Sequence, residues 1–336
     1  MRKKAVQLVV LSLLAVVLFL PLELRAAPYY EGKSMRIIVG SQPGGGYDRI
    51  SRLIARHLPR FIPGKPNIIV SNFPGAGSMM AANSLYNLEK PDGLTIGTFI
   101  GPGLSFAQLL KAPGVRFDLR KYEWIGSMAT EAACFTVRSD SPYRSVEDLR
   151  KAKEPIPLST SGPTAMNYQF PVLMKEFAGL NFKLIHYPST AEGLLALQRK
   201  EVDGHGTYYS SFKPSIDSGV LRPLIRGRIT APGIENLPID EDLTTDKRGK
   251  TLMAMRSAAD VVSRPYVAPP KTPPAIMKTL RSAFAQMTKD PTFLAEAKRG
   301  LMMPEYVPVE EVRKVLDIVL DQPQDIVQEF GKFIKF

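Results

Sequence analysis

The 336-residue chain contains few of the side chains that enzymes most often use for chemistry. It has one cysteine, three histidines and one tryptophan. A single cysteine excludes an intrachain disulfide, and the apolar neighbours of Cys134 predict a buried strand position rather than a nucleophile. His57, His186 and His205 have no partners at metal-ligand spacing. We therefore expect neither a catalytic residue nor a metal ligand among them.

Long apolar runs are missing from most of the chain, and the one that exists lies at the N-terminus. Basic residues 2–4 precede an uncharged apolar segment over residues 5–20, and small residues follow at Ala26 and Ala27. This pattern predicts a secretory signal peptide over residues 1–26, cleaved after Ala26. The alternative is a retained membrane anchor, but the run is shorter than the ~20 residues that span a bilayer. We therefore expect a soluble protein in the periplasm.

Charge is abundant but is not segregated by sign along the chain. The formal net charge is +12, yet basic residues alternate with acids, and no basic stripe is interleaved with aromatic residues. This pattern argues against nucleic-acid binding. A basic surface still attracts small anions, so the charge favours an anionic ligand.

Short apolar runs alternate with segments of helical periodicity. The predicted strands cover residues 35–40, 67–71, 94–100, 134–137, 156–159 and 182–186. The predicted helices cover residues 49–58, 78–88, 168–177, 191–199, 276–288 and 310–320. Asp48 is expected to cap the first helix. This alternation predicts parallel sheets with helices on both faces, and ligands bind beyond the carboxyl ends of such strands.

The chain is long enough to form two lobes rather than one. A second βα unit begins near residue 127, and a proline-rich stretch at residues 265–274 is expected to carry the chain back. The predicted division is residues 27–127 with residues 250–336 as lobe 1, and residues 128–249 as lobe 2.

Two glycine-rich turns each follow a predicted strand and precede a predicted helix. They are Pro43-Gly44-Gly45-Gly46-Tyr47-Asp48 and Pro74-Gly75-Ala76-Gly77-Ser78. A strand, a glycine loop and a helix in this order aim backbone N–H groups and the positive end of the helix dipole at an anion. Neither turn matches a Walker phosphate loop or a complete dinucleotide fingerprint. Each alone is equally consistent with a plain tight turn.

A third loop, rich in Ser, Thr and Gly, covers residues 159–164 on the second unit. It is a further candidate for anion binding. Ser161 is expected to donate hydrogen bonds, because it lacks the Gly-x-Ser-x-Gly setting of a nucleophile. Tyr47, inside the first glycine turn, is a candidate to line a pocket. Asp203 is expected either to accept a hydrogen bond from a ligand or to cap a turn.

Several segments resemble signatures of the Bug/TctC family, the extracytoplasmic solute receptors of tripartite tricarboxylate transporters. They are VGSQPGGGYD at residues 39–48, VSNFPGAGS at residues 70–78, PDGLTIG at residues 91–97 and RPYVAPP at residues 264–270. The resemblance extends over essentially the whole chain after residue 26. It implies an α/β, two-lobed periplasmic binding protein fold of type II, with the ligand cleft between the lobes. One departure is the segment at residues 187–190, where many members have a Tyr-Lys-Gly-type sequence.

The resemblance also implies how a ligand is held. In the family, backbone N–H groups and bridging waters of the two N-terminal loops hold a carboxylate, and the facing lobe completes the site. Carried onto this chain, the candidate ligand-binding residues are Gly44, Gly45, Gly46, Tyr47, Asp48, Gly75, Ala76, Gly77, Ser78, Met79, Ser161, Gly162, Thr164 and Asp203. No catalytic residue, metal or cofactor is expected.

Together these features predict a receptor rather than an enzyme. It would act as a monomer, capture a small organic carboxylate and deliver it to the membrane permease subunits of a tripartite tricarboxylate transporter. One alternative is a sensory receptor that presents the ligand to a signalling protein. A less favoured alternative is an exported enzyme on a similar fold, which would need a titratable cluster in the cleft.

Overall fold

The computed structural model describes residues 27–163 and 165–335, and its strands form two five-stranded sheets. The strands are β1 (Ser34–Val39), β2 (Asn67–Asn72), β3 (Thr95–Thr98), β4 (Glu123–Ser127), β5 (Ala133–Arg138), β6 (Ile156–Thr160), β7 (Phe182–His186), β8 (Gly204–Tyr208), β9 (Leu221–Arg226) and β10 (Pro265–Ala268). The predicted signal peptide at residues 1–26 and the candidate site residue Thr164 lie outside the described residues.

The two sheets share one topology. The first has the strand order β2-β1-β3-β10-β4, in which β1 pairs in parallel with β2 and β3 while β10 runs antiparallel between β3 and β4. The second has the order β7-β6-β8-β5-β9, and β5 runs antiparallel between β8 and β9. In each sheet the antiparallel strand is the one that arrives from the other lobe. This is the type II arrangement, so the predicted two-lobed α/β fold is confirmed.

Helices follow most strands and pack on the sheets. They are α1 (Gly46–His57), α2 (Met79–Asn87), α3 (Gly101–Leu109), α4 (Val146–Arg150), α5 (Met166–Phe177), α6 (Thr190–Gln198), α7 (Tyr209–Asp217), α8 (Lys247–Ala259), α9 (Pro274–Met287), α10 (Pro291–Arg299), α11 (Val309–Leu320) and α12 (Gln324–Phe333). In the part of the chain that the structure describes, none of them combines the length and the apolar character needed to cross a membrane.

Helix α1 is fixed to the first sheet by its apolar face. Ile50, Leu53 and Ile54 repeat at helical spacing and are completely buried. Burying each such side chain stabilises the fold by roughly 1.5–3 kcal/mol. The helix lies against β2 and α10. Its N-terminus, which directly follows the first glycine turn, is therefore held at the carboxyl edge of the sheet.

Helix α8 joins the cores of the two lobes. Its buried residues Leu252, Met253 and Met255 belong to a hydrophobic cluster that contains Leu104 of α3 and Phe170 of α5. The chain changes sheet between β4 and β5 and returns between β9 and β10. Residue 250, at which lobe 1 was expected to resume, lies inside α8, and the division into lobes stays a prediction.

Cys134 lies on β5 and is buried, as its apolar neighbours predict. Burial raises the pKa of its thiol to about 12. The thiol is therefore neutral at physiological pH and packs as a small apolar side chain.

Candidate functional site

The first two glycine turns begin side by side at one edge of the first sheet. Val39 at the end of β1 is in register with Asn72 of β2 and with Thr98 of β3. The N–H of Phe73 donates to the carbonyl of Val39 at 2.8 Å, and the N–H of Gly40 donates to the carbonyl of Thr98 at 2.9 Å. The loops after these three strands therefore meet at the carboxyl edge, where parallel sheets bind ligands.

The first loop leaves the start of α1 without a cap. Gly45 is the residue before the helix, and no described side chain caps it. The N–H groups of Gly46, Tyr47 and Asp48 have no hydrogen-bond partner within residues 27–163 and 165–335. Unpaired donors at a helix N-terminus form an anion site. Gly46 lies exposed at this position.

Asp48 shapes this loop rather than capping the helix. It lies in the first turn of α1, where its carboxylate accepts the N–H of Gly44 at 2.8 Å and pairs with Arg52 at 2.9 Å. Burial raises the pKa of Asp48, but hydrogen bonds from Arg52 and Gly44 outweigh it and hold the pKa below its usual value. The prediction that Asp48 caps α1 is wrong, because the helix begins two residues before it. The same bond occupies the N–H of Gly44.

The second loop is a left-handed turn. Ala76, Gly77 and Ser78 have φ values of 45°, 60° and 76°. This conformation costs non-glycine residues roughly 1–2 kcal/mol each, and such strain is concentrated at functional sites. The N–H groups of the three residues have no partner within the described chain. The turn thus presents a second set of donors beside the first.

The side chains of Ser78 and Met79, two of the candidate residues in this loop, make contacts within the fold. The hydroxyl of Ser78 donates to the carbonyl of Gly40 at 2.8 Å and accepts the N–H of Ile100 at 3.2 Å. It therefore ties together the loops after β1 and β3. A Cβ on Gly40 would lie 2.7 Å from the Ser78 side chain, so glycine is required there. Met79 is buried in the core, and its N–H donates to the carbonyl of Ala76.

The third loop follows β6 on the second sheet. Asn167 accepts the N–H of Ser161 through Oδ1 at 2.9 Å and donates through Nδ2 to the hydroxyl of Ser161 at 2.9 Å. The hydroxyl hydrogen of Ser161 is left to donate elsewhere. Gly162 has a φ of 101°. No described side chain caps the α5 helix that follows.

The buried side chain of His205 contacts Ser159 and Asn167, which belong to this loop and to the helix after it. Nδ1 of His205 lies 2.6 Å from the hydroxyl of Ser159, and Nε2 lies 3.4 Å from the amide of Asn167. Burial lowers the pKa of His205 to about 3, so the imidazole is neutral. His205 therefore positions the loop.

Asp203 is not brought to these loops. Its N–H donates to the carbonyl of Pro157 at the start of β6, whereas Ser161 follows the end of that strand. At ~3.3 Å per residue, roughly the whole strand separates the two. The carboxylate of Asp203 pairs instead with Arg138 at 3.3 Å. Asp203 precedes β8 at the opposite edge of the second sheet, because β6 and β8 are parallel.

The segments that join the two lobes form the cleft floor, and they contain charged residues that the sequence analysis did not identify as site residues. The first crossing segment (residues 128–132) and the second crossing segment (residues 260–264) join the sheets and are hydrogen-bonded to each other. Glu131 pairs with Arg264 at 2.7 Å and accepts a bond from Ser210 at 2.6 Å. Tyr47 donates its hydroxyl to the carbonyl of Ser263. The first glycine loop, both crossing segments and the start of α7 are thus connected.

A buried ionic cluster lies at the start of the second crossing segment. Arg256 and Asp260 form an ion pair of 2.8 Å in which both side chains are 1% exposed, and the hydroxyl of Tyr208 donates to Asp260 at 3.2 Å. Asp240 is also buried, and no described side chain donates a hydrogen bond to it. Burial raises the pKa of Asp240 from 3.8 to about 7, against the opposing effect of Arg256.

The raised pKa of Asp240 makes a pH-dependent prediction. The neutral acid contributes stability that is fully present below about pH 4 and is lost as the pH rises through 7. We expect Asp240→Asn to match the wild type in unfolding free energy at pH 4 and to exceed it by a few kcal/mol at pH 8. Urea unfolding at both pH values measures this. A constant difference between the two proteins would contradict a titrating Asp240.

The arrangement suits anion binding. Within the described ranges, no three His, Cys, Asp or Glu residues are grouped as a metal site would require. Two sets of unpaired backbone donors lie on adjacent loops of the first lobe, and Ser161 offers a hydroxyl donor on the second. Backbone donors hold a carboxylate without a formal charge, which permits release.

Known proteins share this architecture. Residues 50–332 match the family described as TctC, the tripartite tricarboxylate transporter family receptor. The match begins just after the first glycine loop. A UPF0065 protein of Bordetella pertussis is 27% identical over 319 residues, which cover 91% of this chain and 92% of that protein.

Solved structures show the same fold. The periplasmic binding protein BugD superposes with a TM-score of 0.71 at 22% identity, covering 91% of this chain and 100% of that one. Rpa4515 of Rhodopseudomonas palustris, solved with adipate, superposes with a TM-score of 0.69 at 18% identity, covering 91% of this chain and 99% of the other.

Proposed function

Because the chain belongs to the tripartite tricarboxylate transporter family of receptors, we propose that it binds a small organic carboxylate between its lobes. It then delivers this ligand to the membrane permease subunits of such a transporter. We further propose that it acts as a monomer in the periplasm, after cleavage of residues 1–26. The family is one of receptors, and the prediction that the chain is not an enzyme is confirmed on that ground.

One observation carries the proposal. Unpaired N–H groups at the start of α1 and on the turn at residues 76–78 belong to loops that begin in register on neighbouring strands. Several donors can therefore reach one carboxylate, and the positive end of the α1 dipole favours negative charge there. Ser161 and Gly162 follow β6 at the carboxyl edge of the parallel strands of the second sheet.

Two further points support a carboxylate rather than a phosphate or a sugar. Rpa4515, which shares the fold, was solved with adipate. The two glycine loops contain no Walker-type lysine to pair with a phosphate. Closure of the lobes about the crossing segments would then bring Ser161 to the other side of the ligand.

A thermal-shift screen tests this function. We expect one class among mono-, di- and tricarboxylates to raise the unfolding midpoint of the mature protein by about 2 °C or more at 100 times its Kd. Amino acids, inorganic phosphate and sugars serve as controls. A shift from phosphate or a sugar, with none from any carboxylate, would contradict the proposal.

A further inference from the structure

The guanidinium of Arg264 lies directly against the first turn of α1. A Cβ placed on Gly46 would stand 3.3 Å from Nη2 of Arg264. Gly46 is the first residue of the helix, and its N–H has no partner within the described residues. A fixed positive charge therefore lies beside the unpaired donors of the glycine loop in the cleft floor.

This convergence is unfavourable unless anions offset it, and two carboxylates are already close, Asp48 in the first turn of α1 and Glu131 beside Arg264. The N-terminus of a helix carries a partial positive charge, and a cation beside it is destabilising. Glu131 is the carboxylate that offsets Arg264, at 2.7 Å. Its other oxygen accepts the hydroxyl of Ser210 at 2.6 Å, so within the described residues its partners are Arg264 and Ser210 and not the N–H groups at the start of α1. The donors of α1 are thus left for another anion.

Arg264 has hydrogen-bonding capacity that the fold does not use. A guanidinium carries five N–H donors in a planar fork, and within the part of the chain described only Nη2 has a side-chain partner. The Arg264 side chain is 12% exposed, so it reaches the cleft in a partly desolvated setting where charge-assisted bonds are strong. This fork matches the two oxygens of a carboxylate.

We propose that Arg264 is a ligand-binding residue that donates hydrogen bonds to the ligand carboxylate at the first glycine loop. Glu131 is the counter-ion of Arg264 within the protein. The inference rests on the proposed function and adds a charged contact to the backbone donors. Glu131 lowers the positive potential at the site, which keeps the bound anion releasable. Removing the charge of Glu131 should therefore tighten binding, and removing that of Arg264 should weaken it.

Opposite changes in affinity distinguish this role from a structural one. The probes are the dicarboxylates from succinate to adipate, titrated by calorimetry. We expect Arg264→Gln to lose about tenfold or more in affinity, Arg264→Lys to fall between it and the wild type, and Glu131→Gln to gain about tenfold. The amide of Glu131→Gln can still accept from Arg264 and bond to Ser210. If Arg264 only anchors the crossing segments, Arg264→Gln and Glu131→Gln will weaken binding alike.

Arg222 provides the matched control. Its guanidinium donates to the carbonyls of Tyr143 and Ser139 at 3.1 Å each, at the opposite edge of the second sheet. Arg222→Gln removes a partly buried guanidinium in the same way, and we expect wild-type affinity.

The outcomes separate the inference from the proposed function. If the wild type binds none of the probes or other carboxylates, the proposed function fails, and the inference fails with it. If the wild type binds and Arg264→Gln binds equally well, only the inference fails. Should Arg264→Gln not fold, Glu131→Gln decides alone, since unchanged or weaker binding contradicts the proposal.

Discussion

Gly45→Val is expected to abolish carboxylate binding while the protein stays folded. Gly45 has φ −73° and ψ 172°, an extended conformation that valine adopts without strain. The nearest atom to an added Cβ would be the carbonyl oxygen of Gln42 at 3.6 Å, an ordinary contact. The isopropyl group would instead stand next to the unpaired N–H of Gly46, where the ligand must approach. We expect a loss of about 100-fold or more in affinity, equivalent to ~2.7 kcal/mol.

Calorimetry with the carboxylate that stabilises the wild type, together with circular dichroism, measures this effect. Gly331→Val on α12 is the control, because its Cβ would meet only the flexible end of Leu110 at 3.3 Å. It should bind normally. Gly77→Val is a poorer test, since Gly77 has φ 60° and ψ 40° and a β-branched residue would strain the turn itself. Wild-type affinity in Gly45→Val would remove the first loop from the site.

Arg256→Leu should destabilise the fold more than any surface substitution. It leaves Asp260, at the start of the second crossing segment, buried without its cation, and it removes a cation that acts on Asp240. Breaking a buried ion pair by removing one partner costs about 3–5 kcal/mol. We expect urea unfolding at pH 7.5 to show a loss of that size. Adding Asp260→Asn should recover part of it, because no unpaired charge then remains at that position.

Lys213 and Asp217 form the matched control pair. They have the same i,i+4 spacing at 2.7 Å but are exposed on α7. Exposed pairs contribute about 0–1 kcal/mol, so Lys213→Ala should change little. If Arg256→Leu cost no more than Lys213→Ala, the buried cluster would not support the crossing segments as described.

Local sequence signals account for the parts of the fold that were predicted correctly. The strand at residues 35–40 and the helix after it differ from β1 and α1 only at their ends, because apolar spacing and proline breaks are short-range features. Ser145 caps α4 by accepting the N–H of Asp148, which is another short-range feature. The glycine turns were identified in the same way.

Features that depend on distant partners were missed. β10 has only four residues and begins with proline, so nothing local marks it as the antiparallel strand of the first sheet. Glu131 stands alone in an alanine-rich segment, and only the fold brings it to Arg264 and Ser210. Asp203 was expected either to accept a hydrogen bond from a ligand or to cap a turn, and only the parallel pairing of β6 and β8 shows that it lies at the far edge of the second sheet. Asp48 was predicted to cap α1, but its carboxylate accepts the N–H of Gly44 in the loop before the helix.

The central claim is that backbone N–H groups of the two glycine loops bind the ligand, and amide chemical shifts test it most directly. Nuclear magnetic resonance spectra of glycine-labelled protein would be recorded during titration with the stabilising carboxylate. The predicted result is large, saturable shifts of the Gly45, Gly46 and Gly77 amides, with Gly331 unchanged. Saturable binding that leaves all three loop glycines unshifted would contradict the account.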